Sequence, residues 1–429
     1  MKKLLMMIGA AAIAVGANAD TIEINGVTWT YSSKNTTEKT IRLGDGTNPA
    51  MPVGTTLDAA DIPWTMVIDD DTYTVTAIAA KAFSNCTKLS GTLTIPSAVT
   101  SMGTDAFLGC SNLSDLASLG GITSIANTGF KNCSGLSYYP DLSRVTSIGK
   151  NSFQGCTMGG EAILTSLTSA GDSSFKGATI TNVVFKRDSI SLTGNTLFQN
   201  CTGLTGVYFP GPDSGSSLAS IRRSSCFSGC TSLKVFLAGP LTQLYTGYDS
   251  DASTTFSGVE GCRIFVPEDS NWYQLTNGTS YAANNTFLFY GAGRELDLAF
   301  DHDTKTITAT PATAHALTNV LAAASTFKGV FGYNTKICMT NAIEVAAGTL
   351  TDELVGNAQF ESLVFTVRTQ AQLDMVMAAT AGVSTPLCID PDGDKHDVLT
   401  IPADRKVWVL LSGNGKYQPK INGLIISFY

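Results

Sequence analysis

Val99-Thr-Ser-Met102-Gly103, followed by Phe107, Cys110 and Leu113, is one turn of a phrase to which this chain keeps returning. The register recurs as Ile122-Thr-Ser-Ile125-Ala before Phe130, Val145-Thr-Ser-Ile148-Gly before Phe153 and Leu167-Thr-Ser-Ala170-Gly before Phe175. The apolar residues stand eight and five positions ahead of each Phe. Eight phenylalanines mark the repeat: Phe83, Phe107, Phe130, Phe153, Phe175, Phe198, Phe227 and Phe256, at spacings of 24, 23, 23, 22, 23, 29 and 29 residues. Behind the Phe comes Cys and then Leu, as in Cys86 to Leu89, Cys110 to Leu113, Cys133 to Leu136, Cys201 to Leu204 and Cys230 to Leu233. A period in the low twenties is the mark of a solenoid, whose units bury their apolar faces only by stacking on one another.

Downstream of the leucines, Leu93-Thr-Ile95-Pro96 and Val207-Tyr208-Phe209-Pro210 are short β-branched or aromatic runs closed by proline. They predict one strand per coil, with Gly, Asn and Ser supplying the turns. At roughly 4.8 Å per strand, the coils make a parallel sheet on the order of 40 Å long. Inward Phe, Leu, Ile and Cys form its core. Such an array offers a long surface more naturally than a closed pocket.

These residues resemble the BspA-like class of leucine-rich repeats. The Thr-Ser-Ile-Gly step, the Phe, the Cys and the Leu match that pattern well around Phe107, Phe130 and Phe153, and the likeness runs over about residues 73–268. Ile264-Phe265-Val266-Pro267 followed by Trp272-Tyr273 is similar to the strand and aromatic segment that often closes such arrays. The resemblance implies a leucine-rich-repeat solenoid of about eight coils of 22–29 residues, on a bacterial surface, with a role in adhesion to host proteins or other cells. The chain departs from the pattern at Ala178 and Val259, which stand where Cys is expected, and at insertions over 211–217 and 245–253. Insertions at fixed places in a solenoid become loops on one face, often a binding face.

Residues 1–19 have the three parts of a secretory signal: Lys2 and Lys3, an apolar stretch over 4–15, and Ala17-Asn18-Ala19 as a cleavage site before Asp20. The apolar run is shorter than the ~20 residues a bilayer span needs. No Cys follows the cut, and no second long apolar stretch appears, so no transmembrane segment is expected in the mature chain. The chain carries 27 basic and 35 acidic residues for a formal charge of −8, and only 14% of its residues are charged. A nucleic-acid binder wants a basic stripe instead. The polar surface is built from Ser, Thr, Asn and Gly, which suits an extracellular protein or glycan as partner.

Ten cysteines in an exported chain invite a disulfide reading. Seven of them, Cys86, Cys110, Cys133, Cys156, Cys201, Cys230 and Cys262, fall at or near one repeat position. In-register side chains of parallel coils stand side by side, whereas a disulfide needs Cβ atoms about 3.8 Å apart. Buried free thiols acting as small apolar residues are therefore expected. Cys226 and Cys338 or Cys388, off the ladder, are the candidates for exceptions.

Around the repeats, 20–72 predicts an N-terminal β cap, with Val27-Thr-Trp29-Thr-Tyr31 alternating and Gly44, Gly46, Pro49 and Pro52 interrupting. The solenoid covers 73–268 and a capping segment 269–290. A C-terminal α+β module, of no family evident from its residues, covers 291–429. In it, Leu296, Leu298 and Phe300 alternate into a turn at Asp301-His-Asp303 and return over 306–310. Leu317, Val320, Leu321 and Ala324 keep helical spacing, as do Leu373, Val376 and Met377. Strands are predicted at 363–367, 386–389, 407–411 and 424–428.

Candidate chemistry is sparse. His302, His315 and His396 lack the spacing of a zinc site. No nucleophile elbow and no phosphate loop occur, so neither an enzyme nor a cofactor is expected. Asp390, Asp392, Asp394 and Asp397 alternate as calcium ligands can, yet Lys395 and Ile401 stand where a helix-loop-helix calcium loop needs Gly and Glu. Asp69-Asp70-Asp71 reads as a charged hairpin tip. Tyr138 and Tyr208, within or beside the strands, are the candidate partner-binding residues, because an outward Tyr supplies rigid contact area with a polar tip. A one-residue shift of register would turn either one inward. The leading expectation is an exported repeat protein that binds a macromolecule through its solenoid face. The alternative makes the solenoid a spacer and gives glycan binding or envelope anchoring to the C-terminal module.

Overall fold

The computed structural model describes residues 19–186, 190–192, 194–209, 219–221, 225–239, 242–244, 254–268, 283–301, 303–338, 351, 363–381, 383, 387–391, 399–401, 407–410, 417–419 and 425–426. The repeat forms a stack of coils on a single file of rings. All eight phenylalanines are fully buried, and successive centroids lie between 4.9 Å (Phe83 to Phe107) and 5.7 Å (Phe198 to Phe227) apart with planes within 13°. Each such pair contributes about 0.5–1.5 kcal/mol beyond its buried area.

The cysteines behave as the spacing predicts. The nine whose side chains the structure describes are free thiols, and all but Cys338 are buried. Their role is more specific than filling space. Cys110, Cys133, Cys156, Cys201 and Cys230 each donate Sγ–H to the carbonyl of the Phe one coil back, at 2.9–3.1 Å. That carbonyl also accepts the N–H of the residue three after it in its own coil, a Cys except at Phe175, where it is Ala178. Off the ladder, Cys226 is a buried free thiol too. Cys338 pairs with Thr366, and Cys388 with Val364 on that same strand, so the two cysteines lie two strands and two residues apart, beyond disulfide reach.

A second short ladder accompanies the long strands, so each coil carries more than the one strand its sequence suggested. The Thr-Ser-Ile step forms it: Ser124–Ile125, Ser147–Ile148, Ser169–Ala170, Ser191–Leu192, Ala219–Ile221 and Thr242–Leu244 pair in parallel. The residue two after each Phe turns the corner in the left-handed region, and it is always Asn or Gly: Asn85, Gly109, Asn132, Gly155, Gly177, Asn200, Gly229 and Gly258. Asn is followed one coil later by Gly, because a Cβ at Gly155 would come within 2.8 Å of Asn132 Oδ1.

Both ends of the stack are closed. At the front, Ala19–Ile24, Val27–Asn35, Thr40–Leu43, Asp71–Ile78 and Thr65–Ile68 make a sheet whose Trp29 meets Phe83 edge-on at 6.3 Å. Asp69 and Asp70 form the tip of the last hairpin, and Lys34 pairs with Asp69 as Lys39 does with Asp71. At the rear, Asn285 stands in for a missing coil: its amide accepts the N–H of Cys262 at 2.9 Å and donates to the carbonyl of Val259 at 2.8 Å.

Beyond the repeats the long sheet does not stop. From Gly160–Leu164 it runs in order through Ile180–Phe185, Gly206–Phe209, Val235–Ala238, Arg263–Pro267, Thr286–Tyr290, Leu296–Asp301, Thr306–Pro311, Asn334–Cys338, Leu363–Val367, Leu387–Pro391, Val407–Leu410 and Tyr417–Pro419. The C-terminal module mixes helices and strands as expected, with hairpins at its two ends and parallel strands between them. Helix Ala314–Gly329, capped by Thr313, and helix Gln370–Ala379, with a capping box from Thr369 and Gln372, make the crossovers.

Candidate recognition surface

The outward face of the long strands divides in two. In the rear coils one outward line is Ile163, Val184, Tyr208, Leu237, Phe265 and Leu288, each paired in register with the next. From Val184 onward every member is buried, at no more than 5% exposure. Helix Ala314–Gly329 covers them: Phe327 meets Phe265 edge-on at 5.4 Å, and Phe331 and Tyr333 just beyond the helix close on Tyr208 at 4.9 and 5.6 Å. Arg263 Nε donates to Asn319 Oδ1 at 3.0 Å. Gly206 allows the close crossing, since a Cβ there would sit 3.3 Å from Val330 and 3.4 Å from Thr326. The helix thus runs along the stacking axis from Arg263 toward Gly206, with its C-terminal end facing the front coils.

Tyr208 therefore points out of the strand face as the sequence suggested, but into the C-terminal module rather than solvent, with 2% of its surface exposed. Tyr138 is different. At 70% it is the most exposed large apolar side chain among the described residues, and Ile163, one coil on, is exposed at 37%.

Tyr138 lies in the coil where the long ladder lapses. Leu89–Ile95 and Leu113–Leu119 pair with each other, but the next coil, Leu136-Ser-Tyr138-Tyr139-Pro140, makes only a bridge from Tyr138 to Gly159. Pro140 has no N–H to continue a ladder. The coil is held instead by Ser137 N–H to Ser114, Gly159 N–H to Ser137 and Tyr139 N–H to Gly159. Opposite Tyr138 the neighbouring coil offers Gly159-Gly160, and a Cβ on Gly160 would meet nothing within 4 Å. Along that strand Glu161 and Ile163 alternate outward while Ala162 and Leu164 are buried. Partial burial lifts the Glu161 carboxyl above the usual carboxylate range, against the pull of Lys186. Next to Tyr138, the Tyr139 hydroxyl is buried without a hydrogen-bond partner, and burial pushes its pKa well up. Ahead of this coil the exposed residues of the face are small and mostly polar: Thr92, Thr94, Ser114 and Ala117.

Other candidates read from sequence stand apart from this surface. His315 is exposed near the start of helix Ala314–Gly329, and no group of three or more His, Cys, Asp or Glu converges among the described residues. His302, His396, Asp392, Asp394, Asp397, the side chain of Asp390, Trp272-Tyr273 and both insertions lie outside the described residues. Glu161, Ile163 and the Gly159-Gly160 pair were not singled out by sequence. The signal available was that two glycines and a Pro140 replace strand residues in adjacent coils.

Parallel coils on a buried Phe and Leu core, with Cys in register, define a leucine-rich-repeat solenoid. Residues 70–159 and 140–247 match the BspA type leucine rich repeat region in six copies, and this part of the chain is a BspA-type leucine-rich repeat. Similar solved structures include a leucine-rich repeat protein from Bacteroides ovatus, 19% identical over 83% of this chain and 97% of that one, with a TM-score of 0.42. A leucine rich cell surface protein from Faecalibacterium prausnitzii is 15% identical over 64% of this chain and 95% of that one, at a TM-score of 0.32. A leucine rich repeat protein of T. pallidum is 22% identical over 50% and 81%, at 0.30. No curated protein matches the chain. Among the described residues, no helix is long and apolar enough to cross a membrane.

Proposed function

We propose that this is an exported bacterial surface protein that binds another protein on the front half of its strand face, centred on Tyr138. The observation that carries the reading is the exposure of Tyr138 in the coil where the long ladder lapses, with the exposed Ile163 on the next strand four residues beyond its bridge partner Gly159. A rigid, exposed aromatic with an exposed aliphatic side chain on the same face is the composition of an interface centre. The leader over residues 1–19 and the BspA-type repeat both support export, and the repeat class supports adhesion. The rear half of the face is occupied by the chain itself, which favours the front coils over the whole solenoid as the contact surface.

The test is a binding screen of the mature chain against extracellular-matrix proteins. A binder should lose at least tenfold in affinity on Tyr138→Ala. Binders indifferent to both Tyr138→Ala and Ile163→Ser would overturn the reading.

A further inference from the structure

We infer that the occupant of this surface is an extended, basic segment of a protein partner, an Arg or Lys lying between Tyr138 and Glu161 with an apolar residue two positions along resting on Ile163. The inference rests on the proposed function and names the chemistry of its partner. The bridge to Gly159 sets Tyr138 two residues from Glu161 along the strand face, a span of roughly 7 Å. The stem of a long basic side chain covers that span. Tyr138 is 70% exposed and the Cβ position of Gly160 meets nothing within 4 Å, so a cation approaching Glu161 can also reach the phenol, whose face attracts it. Glu161 is only partly compensated: Ala162 and Leu164 turn inward, Asn182 opposite it is engaged by Thr205 at 2.7 Å, and the attraction of Lys186 is outweighed by burial.

Ile163 then continues an apolar line that the chain already uses. Val184 and Tyr208, its neighbours in register, are covered by apolar side chains of the C-terminal module. A partner's apolar residue on Ile163 would extend that packed interface by one coil. Alternate side chains of an extended segment are spaced as Glu161 and Ile163 are. The excess of 35 acidic over 27 basic residues favours a basic partner as well.

A random peptide library displayed on phage, panned on the full mature chain, tests this. Enriched peptides should carry Arg or Lys two positions from an apolar residue. A synthetic peptide of the enriched sequence should lose at least tenfold in affinity on Glu161→Gln and on Tyr138→Ala, and bind more weakly as salt is raised. Thr94→Ala, on the same face, should leave it unchanged. Peptides without a basic residue that still depend on Tyr138 would overturn this inference and leave the proposed function standing. Enriched peptides indifferent to Tyr138, or no enrichment at all, would overturn this inference; indifference to Tyr138 would count against the proposed function as well. Glu161 is exposed, so Glu161→Gln is expected to fold, which its thermal transition would verify.

Discussion

The two halves of one strand face have opposite fates. Over the rear coils Val184, Tyr208, Leu237 and Phe265 face outward and are buried by the chain's own helix, while over the front coils Thr92, Thr94, Ala117 and Tyr138 face outward into solvent. The core beneath both halves is the same file of Phe and Cys. The difference lies in the outward residues alone: apolar and in register where a helix lands, polar with one exposed aromatic where none does. In a repeat protein the core residues specify the coil, and the alternate residues specify what the coil meets.

The largest expected effect should strike both halves alike, and an unequal response would break the claim of a common core. Burial pushes the buried thiols up, Cys156 and Cys201 on the ladder and Cys226 off it to about 12. A thiol that stays neutral when folded but ionises near pH 8.5 when unfolded contributes stability that is fully present below pH 8.5 and is lost as pH rises toward the folded value. The loss is about 1.4 kcal/mol per thiol per pH unit, so the eight buried thiols together lose on the order of 10 kcal/mol by pH 9.5. Unfolding followed by circular dichroism in reducing buffer should set in between roughly pH 9 and 10.5, and replacing Cys133, Cys156 and Cys201 by Ala should raise that midpoint.

A matched pair of substitutions sharpens the contrast between the halves. Tyr208→Ala empties a site packed by Phe331 and Tyr333, and should cost about 3–5 kcal/mol in denaturant unfolding. Tyr138→Ala should cost less than about 0.5 kcal/mol. Equal costs would mean that the module does not cover the rear face. Gly206→Val probes the crossing itself, since its side chain must displace Val330 and Thr326; about 1–3 kcal/mol is expected.

The smallest effect is expected at Glu161. Its carboxyl is raised by burial, so its ionised form opposes folding at neutral pH. Glu161→Gln should therefore raise the melting temperature slightly at pH 7, and the gain should vanish below about pH 4, where the unfolded carboxyl is protonated as well. A residue that weakens the fold while holding a partner is the signature of a binding group, and no change at either pH would argue for a passive one.

The sequence made the array legible because a solenoid writes its packing once per coil. Phe107, Cys110 and Leu113 need only a count of spacings to be placed inside, and Leu317, Val320 and Leu321 needed only helical periodicity. What periodicity carries no signal for is the landing of the helix on Tyr208, because strand alternation assigns a face but not what lies across it. Tyr138 and Tyr208 therefore looked equivalent. Gly206, small where the helix crosses, and Gly159-Gly160, small where Tyr138 is left open, carried the distinction, and their meaning depends on neighbours distant in sequence or one coil away. The donation from each Cys to the preceding Phe carbonyl was likewise hidden, since spacing shows only that the two positions recur together.

Tyrosine modification of the intact mature chain by tetranitromethane, read by peptide mass spectrometry, tests the division of the face most directly. Tyr138 should be nitrated readily while Tyr208 remains protected until the chain unfolds. Nitration of both at similar rates in the folded protein would contradict the account.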